Sequence, residues 1–238
     1  MPDAAHEPGD PFSLAWAGDR FLRVSLGDTA DEATLHLVRS AVEALTAASI
    51  PGLIDLTPAY TTILLTFDPL RTPDDAEDRA RAVLRNACGC AVAAARTLDI
   101  PVCYGGPHGD DLDALAGLRG LTAQEAIALH SGAEYRVAFI GFTPGFAYLH
   151  GLPQRLSTPR LATPRPRVAP GSIGIAGSQT GIYPASTPGG WRLIGRTPLR
   201  TFTPGRTPPA LLSGADRVRF VPITPCEFDR LNQHPESR

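Results

Sequence analysis

Lysine is missing from this sequence, and all 22 basic side chains are arginine. Because a Schiff base, a Walker-A phosphate contact and a biotin attachment each need a lysine amine, this chain supplies none of them. Asp and Glu are missing from the 80 residues between Arg136 and Ala215, which hold nine of the arginines. That stretch has no carboxylate to act as a general base, and its positive charge favours anionic ligands or an acidic partner.

Outside that stretch the charge has the opposite sign, because 13 arginines there face 24 acidic residues. The formal charge is +9 inside the stretch and −11 outside it, which leaves −2 for the whole chain. The isoelectric point is near 6.3, and aromatic residues are not interleaved with the arginines. This composition does not favour binding to nucleic acid, and we expect no such partner.

No apolar run approaches the roughly 20 residues of a membrane-spanning helix, so we expect no membrane contact. Residues 1–11 lack the apolar core of a signal peptide and are expected to form a loose tail. These features predict a cytoplasmic location. The four cysteines have no zinc-binding spacing, so we expect buried free thiols and no metal site. They are Cys88, Cys90, Cys103 and Cys226.

Hydrophobic periodicity predicts an α+β protein of two domains. Residues 1–97 are expected to form a small α/β sandwich in the order β-α-β-β-α, with a capping box at Thr29 and Glu32 and a second helix begun at Thr72. Short segments separated by glycine and proline in residues 98–238 favour a β-barrel. The predicted strands are 20–26, 53–57, 60–67, 99–104, 135–141, 172–176, 191–195, 199–203 and 217–222, and the predicted helices are 29–49, 72–95, 110–117 and 123–131.

Aromatic side chains cluster in the segment 141–153, where Gly145 follows a proline and predicts a tight turn. The turn would present Phe142, Phe146 and Tyr148 together. An aromatic wall around a small ligand is one interpretation. Hydrophobic packing beneath a loop is the alternative.

Arginines follow this segment on X-Pro steps, which force an extended backbone and spread the side chains along a ribbon. Arg160, Arg165 and Arg167 stand there, and guanidinium groups suit carboxylate or phosphate. We predict Arg165 and Arg167, together with Arg196, as anion contacts. A solvated loop, or pairing with acids of the N-terminal domain, is the alternative.

The glycine-rich segment 170–184 lets the backbone approach a ligand closely. Its Gln179, Thr180 and Tyr183 offer neutral donors and acceptors for an amide or a carboxylate, and we predict all three as ligand-facing. A phosphate loop is a weaker interpretation without a lysine or a following helix, and a strand-turn-strand corner is the structural alternative. The predicted substrate-binding set is Gln179, Thr180, Tyr183, Arg165, Arg167, Arg196, Phe142 and Trp191.

No nucleophile paired with a base is visible, since the sequence has neither a GxSxG elbow nor an HExxH motif. His130 closes a predicted helix and is expected to cap its C-terminus rather than act in catalysis. We therefore assign no catalytic residue and expect the groups that break bonds to come from elsewhere.

Eight short motifs occur in a fixed order along the second half of the chain. They are IPVCYGG at 100–106, LHS at 129–131, GFTPGFAYL at 141–149, PR at 159–160, GSIGIAG at 171–177, QTGIYP at 179–184, PGGW at 188–191 and LIGRTP at 193–198. Together they resemble the family of bacterial 5-oxoprolinase B subunits (PxpB), also called KipI or allophanate hydrolase subunit 1. The resemblance covers about residues 20–224 and implies a small N-terminal α/β domain followed by a cyclophilin-like β-barrel.

For function, the resemblance implies one component of a larger enzyme, inactive alone. A C-type (PxpC/KipA-like) protein and an A-type protein would join it in opening 5-oxoproline to glutamate with ATP, the ATP-binding component being unassigned. The substrate is a cyclic amide bearing a carboxylate, which arginine and neutral hydrogen-bonding groups suit. Two alternatives stay open: a KipI-type inhibitor of a sensor histidine kinase, and a urea- or allophanate-pathway component that resembles a carboxyltransferase.

Overall fold

A computed structural model describes residues 10–87, 95–214 and 216–233 of the chain. The residues divide into two compact units, Met1–Ala94 and Ala95–Arg238, whereas the sequence pattern predicts the boundary after residue 97. The first strand of the second unit already begins at Thr97, which accounts for the difference. Each unit has a hydrophobic core of its own, and the predicted α+β class, an α/β sandwich followed by a barrel, is confirmed.

The first unit is a four-stranded antiparallel sheet with two helices, and the strand order is β1-β2-β4-β3. Alternate residues of β2 and β4 are buried, as expected for strands with one face on a core. The core also takes in residues of both helices. The elements are β1 (Ser13–Ala17), β2 (Phe21–Ser25), α1 (Glu32–Ala47), β3 (Leu53–Pro58), β4 (Thr62–Phe67) and α2 (Ala76–Ala87).

Both helices of this unit begin later than the sequence pattern predicts. The N-cap of α1 is Asp31, whose carboxylate accepts the Thr34 N–H at 2.8 Å, so the predicted capping box at Thr29 is wrong. The Thr29 hydroxyl instead donates to Asp31. The Thr72 hydroxyl donates to the Asp68 carbonyl within a turn, and α2 begins only at Ala76. Residues 88–94, through which the second helix is predicted to continue to about residue 95, lie outside the described part of the chain.

The predicted loose tail is wrong at Asp10, while residues 1–9 lie outside the described part of the chain. Asp10 is buried, and its carboxylate accepts hydrogen bonds from Arg81 at 2.9 Å and Arg85 at 2.7 Å. The hydrogen bond from Arg85, followed by the one from Arg81, holds the pKa of Asp10 below its usual range. The carboxylate therefore attaches the start of the described chain to α2.

The second unit is a closed seven-stranded barrel in the order β10-β7-β6-β13-β5-β12-β9, with β9 paired to β10. All neighbouring strands are antiparallel except β5 and β13. A separate two-stranded ribbon joins β8 to β11. The strands are β5 (Thr97–Tyr104), β6 (Glu134–Ile140), β7 (Ala147–His150), β8 (Arg165–Val168), β9 (Ser172–Ala176), β10 (Gln179–Ile182), β11 (Thr187–Gly189), β12 (Arg192–Arg196) and β13 (Arg217–Pro222).

Three α-helices accompany the barrel: α3 (Leu112–Leu118), α4 (Ala123–Ser131) and α5 (Pro225–Gln233). Short 3-10 turns cover Gly106–His108 and Gln154–Leu156. The predicted strand at 199–203 is wrong, because Phe202 makes only an isolated bridge to Ala210. Within the described ranges, no helix combines the length and apolar character needed to cross a membrane.

The cysteines follow the prediction of buried free thiols only in part. Cys103 on β5 is buried and free, and burial raises the pKa of its thiol. Cys226 on α5 is free but exposed, because it lies on a helix that contributes mainly Phe228 to the interior. Cys88 and Cys90 lie outside the described residues.

A buried polar chain runs through the barrel and contradicts the expected capping role of His130. The His130 ring is fully buried and stacks on Phe220. Because the Thr180 hydroxyl donates to the Gly174 carbonyl at 2.9 Å, His130 Nε2–H must donate to Thr180 at 3.2 Å. His130 Nδ1 then accepts from the Tyr104 hydroxyl at 2.8 Å. Every member of the chain has a partner, so the histidine is a neutral interior connector.

Burial lowers the pKa of His130 to about 3, which makes barrel stability pH-dependent. An unfolded histidine binds a proton below about pH 6.5, whereas the folded one does not until about pH 3, so stability falls as the pH drops through that window. At pH 5 this effect costs about 2 kcal/mol relative to pH 7.5. Urea unfolding of a Trp16→Phe chain, followed by Trp191 fluorescence, should show it.

The matched variant is His130→Gln, which keeps polar atoms but cannot titrate. The free energy of unfolding of this variant is expected to be lower at both pH values. The decrease in that free energy between pH 7.5 and pH 5 should, however, be smaller than in the parent by the same ~2 kcal/mol. Equal losses in both proteins would contradict a neutral buried histidine.

Candidate functional site

A pocket of about 210 Å³ lies in the second unit, between the barrel and the β8-β11 ribbon. Aromatic rings from β7 and the turn before it form one side, and proline and glycine residues of the ribbon form the other. One charged side chain is present among the lining residues. They are Phe142, Phe146, Tyr148, Arg160, Pro164, Tyr183, Pro188, Gly189, Gly190 and Trp191.

Three buried rings, those of Phe146, Tyr183 and Trp191, form the pocket floor. The Phe146 centroid lies 5.2 Å from Tyr183 and 5.4 Å from Trp191, and both pairs are close to perpendicular. Edge-to-face packing of this kind directs the hydrogen-bearing edge of one ring at the electron-rich face of the next. The floor is therefore rigid and apolar, with a hydroxyl at one corner.

Glycines of the barrel strands make room for these rings. A Cβ on Gly174 of β9 would lie 2.9 Å from the Cβ of Trp191, and one on Gly181 of β10 would lie 2.9 Å from the Phe146 ring. The weaker interpretation of a phosphate loop does not agree with this arrangement, since Gly174 and Gly181 lie on a β-hairpin under aromatic side chains. The strand-turn-strand alternative is confirmed.

The ribbon holds the Tyr183 hydroxyl at the corner of the pocket. A Cβ on Gly189 would lie 2.5 Å from that oxygen, so only glycine fits there. The Trp191 backbone N–H hydrogen-bonds to the same oxygen, and burial is the larger influence and raises the pKa of Tyr183. The hydroxyl accepts one hydrogen bond, stays protonated, and keeps a proton to donate.

Arg160 supplies the pocket's charge. It is exposed, and the described hydrogen bonds and ion pairs give its guanidinium no carboxylate partner. Burial raises the pKa of both Tyr148 and Tyr183, and the positive charge of Arg160 opposes part of the rise for each. Its field therefore acts inside the pocket.

At the rim, Phe142 is 63% exposed and has a left-handed backbone with φ of +66°. Its ring meets Phe146 edge-on at 5.5 Å. The turn closes through Gly145, where a Cβ would lie 2.6 Å from that of Phe202. A non-glycine residue in this backbone region is strained, which is commonest where the side chain is held for a purpose.

The structure brings three of the predicted residues, Phe142, Tyr183 and Trp191, together at the pocket. It does not bring Thr180 there, because that side chain is fully buried on the other side of the strand and bonded to Gly174 and His130. Gln179, at the start of β10, is half-buried and is not among the lining residues.

The predicted anion contacts are likewise placed outside the pocket. Arg165 donates to Asp111 at 2.7 Å and lies behind the pocket wall. Arg196 donates to the Pro170 carbonyl at 2.8 Å, which uses its guanidinium to hold a loop. Arg167 is exposed on β8. The acid that meets Arg165 belongs to the second unit, so the alternative of pairing with the N-terminal domain is wrong for this arginine.

Four residues of the site are absent from the substrate-binding set that the sequence predicts. Phe146 and Tyr148 stand in the predicted aromatic wall and Arg160 in the arginine ribbon, but the pattern does not single them out as ligand contacts. Nothing in the sequence pattern marks Asp111 as part of the site, since it stands in a loop before a short helix. Its carboxylate accepts both Arg165 and the Leu193 N–H at 2.6 Å, and so it fixes β12 beside the pocket.

Catalytic and metal-binding groups are scarce around the site. Among residues 10–87, 95–214 and 216–233, no three His, Cys, Asp or Glu side chains are grouped to hold a metal ion. The ten lining residues include neither a carboxylate nor a histidine. The pocket can therefore bind and orient a small polar ring, while its own groups do not form an acid–base pair.

Comparison with known proteins places this geometry in a family. The sequence matches the family model for the carboxyltransferase domain, subdomain C and D, over residues 12–212. The chain belongs to the carboxyltransferase C and D family. Over 228 residues, or 91% of this chain and 95% of the relative, it is 36% identical to the 5-oxoprolinase B subunit of Bacillus subtilis (strain 168). The resemblance to the family of 5-oxoprolinase B subunits is confirmed.

Solved structures with a similar fold are also found. The crystal structure of TTHA0988 is 39% identical, with a TM-score of 0.74 over 86% of this chain, which spans 40% of that longer chain. The K. lactis urea amidolyase superposes with a TM-score of 0.79 over 98% of this chain and 16% of its own. At 17% identity, the second match shows a shared fold alone.

Gly174→Ala tests the dependence of the floor on glycine. Its Cβ would press on Trp191 and Tyr183, and overpacking of this kind costs about 1–3 kcal/mol of unfolding free energy. We expect a lower urea midpoint and a shifted Trp191 emission.

The matched control is Gly117→Ala on α3, where an added Cβ meets nothing within 4 Å. Alanine is the better helix former, so stability should be unchanged or slightly higher. A Gly174→Ala protein as stable as this control would show that the rings do not need the glycine.

Proposed function

We propose that this chain is the B subunit of an ATP-dependent 5-oxoprolinase. With a C-type and an A-type protein it takes part in opening 5-oxoproline to glutamate, in which water is added across the lactam C–N bond. The observation that carries the proposal is the 36% identity to a 5-oxoprolinase B subunit over 95% of that protein. The pocket supports it, because one guanidinium beside aromatic rings suits a small carboxylate with a flat neutral ring.

The proposal gives this chain a binding role and leaves bond breaking to a shared site. The pocket lining offers one arginine, the hydroxyls of Tyr148 and Tyr183, and otherwise mainly aromatic, proline and glycine residues. His130 is enclosed in the barrel and meets no ligand. A general base and the groups that activate the amide would therefore be contributed by another protein of the complex, which agrees with relatives named as one component of several.

The size and lining of this pocket do not favour ATP as its ligand. Sites for drug-sized ligands have volumes from about 300 Å³, and a nucleotide with its phosphates is larger than the ~210 Å³ found here. The glycine-rich hairpin of β9 and β10 packs under rings and offers no phosphate cradle. We propose that the nucleotide binds elsewhere in the complex.

Reconstitution tests the function directly. Purified A-type, B-type and C-type proteins are incubated with 5-oxoproline and ATP, and glutamate is measured with this chain included and omitted. We expect glutamate release, coupled to ADP formation, only when this chain is present. An equal rate without it, in a complex of the other two proteins, would overturn the proposal.

The same preparation separates the remaining alternatives. A complex that assembles but releases no glutamate is then offered urea or allophanate with ATP, which tests the carboxyltransferase-like alternative. Autophosphorylation of a sensor histidine kinase, assayed with and without this chain, tests the inhibitor alternative. Activity in either assay, without 5-oxoproline turnover, would replace the proposed function.

A further inference from the structure

The charge of Arg160 is not neutralised by the residues around it. It is the one charged residue in the pocket lining, and the described contacts give it neither an ion pair nor a backbone carbonyl. Three other arginines of the acid-free stretch have described partners. Arg165 pairs with Asp111, and Arg192 and Arg196 donate to loop carbonyls. A guanidinium left with open donor sites at the mouth of a pocket matches a ligand carboxylate.

Across the pocket floor, Tyr183 offers the complementary group. Its oxygen accepts the Trp191 N–H, and burial raises its pKa, so its proton is available for donation at neutral pH. A ring carbonyl, which is an acceptor only, is the natural partner for that proton. Apart from Arg160 and the Tyr148 hydroxyl, the remaining surface is mainly aromatic rings, proline and glycine, which suits the flat, uncharged part of a small ring.

The volume limits the ligand to one small ring. At about 210 Å³ the pocket is below the range of drug-sized sites. Phe142 stands 63% exposed at the rim, where its ring can cover a ligand held on the floor. A cationic group at the mouth and a hydroxyl donor at the floor of this small pocket suit a compact molecule that carries both a carboxylate and an amide carbonyl.

We propose that this pocket is the subsite that holds the carboxylated lactam itself, with its carboxylate on Arg160 and its ring carbonyl on the Tyr183 hydroxyl. The inference rests on the proposed function and goes further, because it assigns substrate recognition to this chain and to two side chains. Arg160 recognises only the carboxylate. Tyr183 donates a hydrogen bond to the ring carbonyl, which every five-membered lactam has.

The test uses the reconstituted complex and two ligands that differ in one group. The ligands are 5-oxoproline and pyrrolidin-2-one, which keeps the ring carbonyl but lacks the carboxylate. Arg160→Gln should raise the KM for 5-oxoproline about 10- to 100-fold, the range expected for one lost hydrogen-bonded charge. Inhibition by pyrrolidin-2-one should change less than about twofold in this variant. Tyr183→Phe should weaken both ligands.

Arg200→Gln is the matched control. Arg200 is an exposed arginine of the same acid-free stretch and is not part of the pocket lining. Its KM should equal that of the parent complex. Arg160→Gln with a KM within about twofold of the parent, in an active complex, would overturn the inference while leaving the proposed function intact.

If the parent complex shows no turnover, direct binding decides the inference separately. Trp191 lies on the pocket floor, and Trp16 is the other tryptophan, so a Trp16→Phe chain reports on the pocket by fluorescence. Saturable quenching by 5-oxoproline that weakens at least tenfold with Arg160→Gln would support the subsite. Quenching that is absent, or equal in the two proteins, would overturn it.

Discussion

Aromatic rings packed directly on glycine backbone determine both the closure of the barrel and the shape of the pocket. Trp191 and Phe146 fill the volume that a Cβ on Gly174 or Gly181 would occupy, and these glycines lie on the two strands whose pairing closes the barrel. Because a close-packed interior has no space for an added methyl group, ring and strand positions determine each other. The pocket floor is therefore the outer surface of the barrel wall.

Long, periodic elements could be predicted from the sequence because each buries one face. The predicted helix 123–131 is observed as α4, whose capping box is local: the Thr122 side chain accepts the Glu125 N–H and the Glu125 side chain accepts the Thr122 N–H. Strands such as β7 and β11 escape prediction, because three or four residues are too few for alternation to stand out. The start of α1 differs because Asp31 outcompetes Thr29 for the cap.

The structure brings predicted aromatic residues together at the pocket but places the predicted arginines elsewhere. A turn that groups aromatic residues is a local feature, and it placed Phe142 at the pocket correctly. The hydrogen-bond partner of an arginine depends on the tertiary structure. Asp111 precedes Arg165 by 54 residues, and Arg196 donates to the Pro170 carbonyl. In an acid-free, proline-rich stretch, the irregular backbone leaves carbonyl groups without a backbone hydrogen-bond donor. Most guanidinium groups with described contacts donate to these carbonyls. Charge density alone could not identify Arg160 as the arginine that lines the pocket.

The buried polar chain explains why the floor can be rigid although loops surround it. Tyr104, His130 and Thr180 pass hydrogen bonds to the carbonyl of Gly174, directly beneath Trp191. Because burial keeps His130 neutral at physiological pH, these hydrogen bonds do not change with protonation. They therefore hold the strand that carries Gly174 in one position. A ligand therefore meets a floor ordered beforehand, and the conformational entropy lost on binding is confined to exposed groups such as Phe142. Affinity then depends on how well a small molecule pairs with the hydrogen-bond donors of the pocket, more than on a change in the shape of the pocket when the ligand binds.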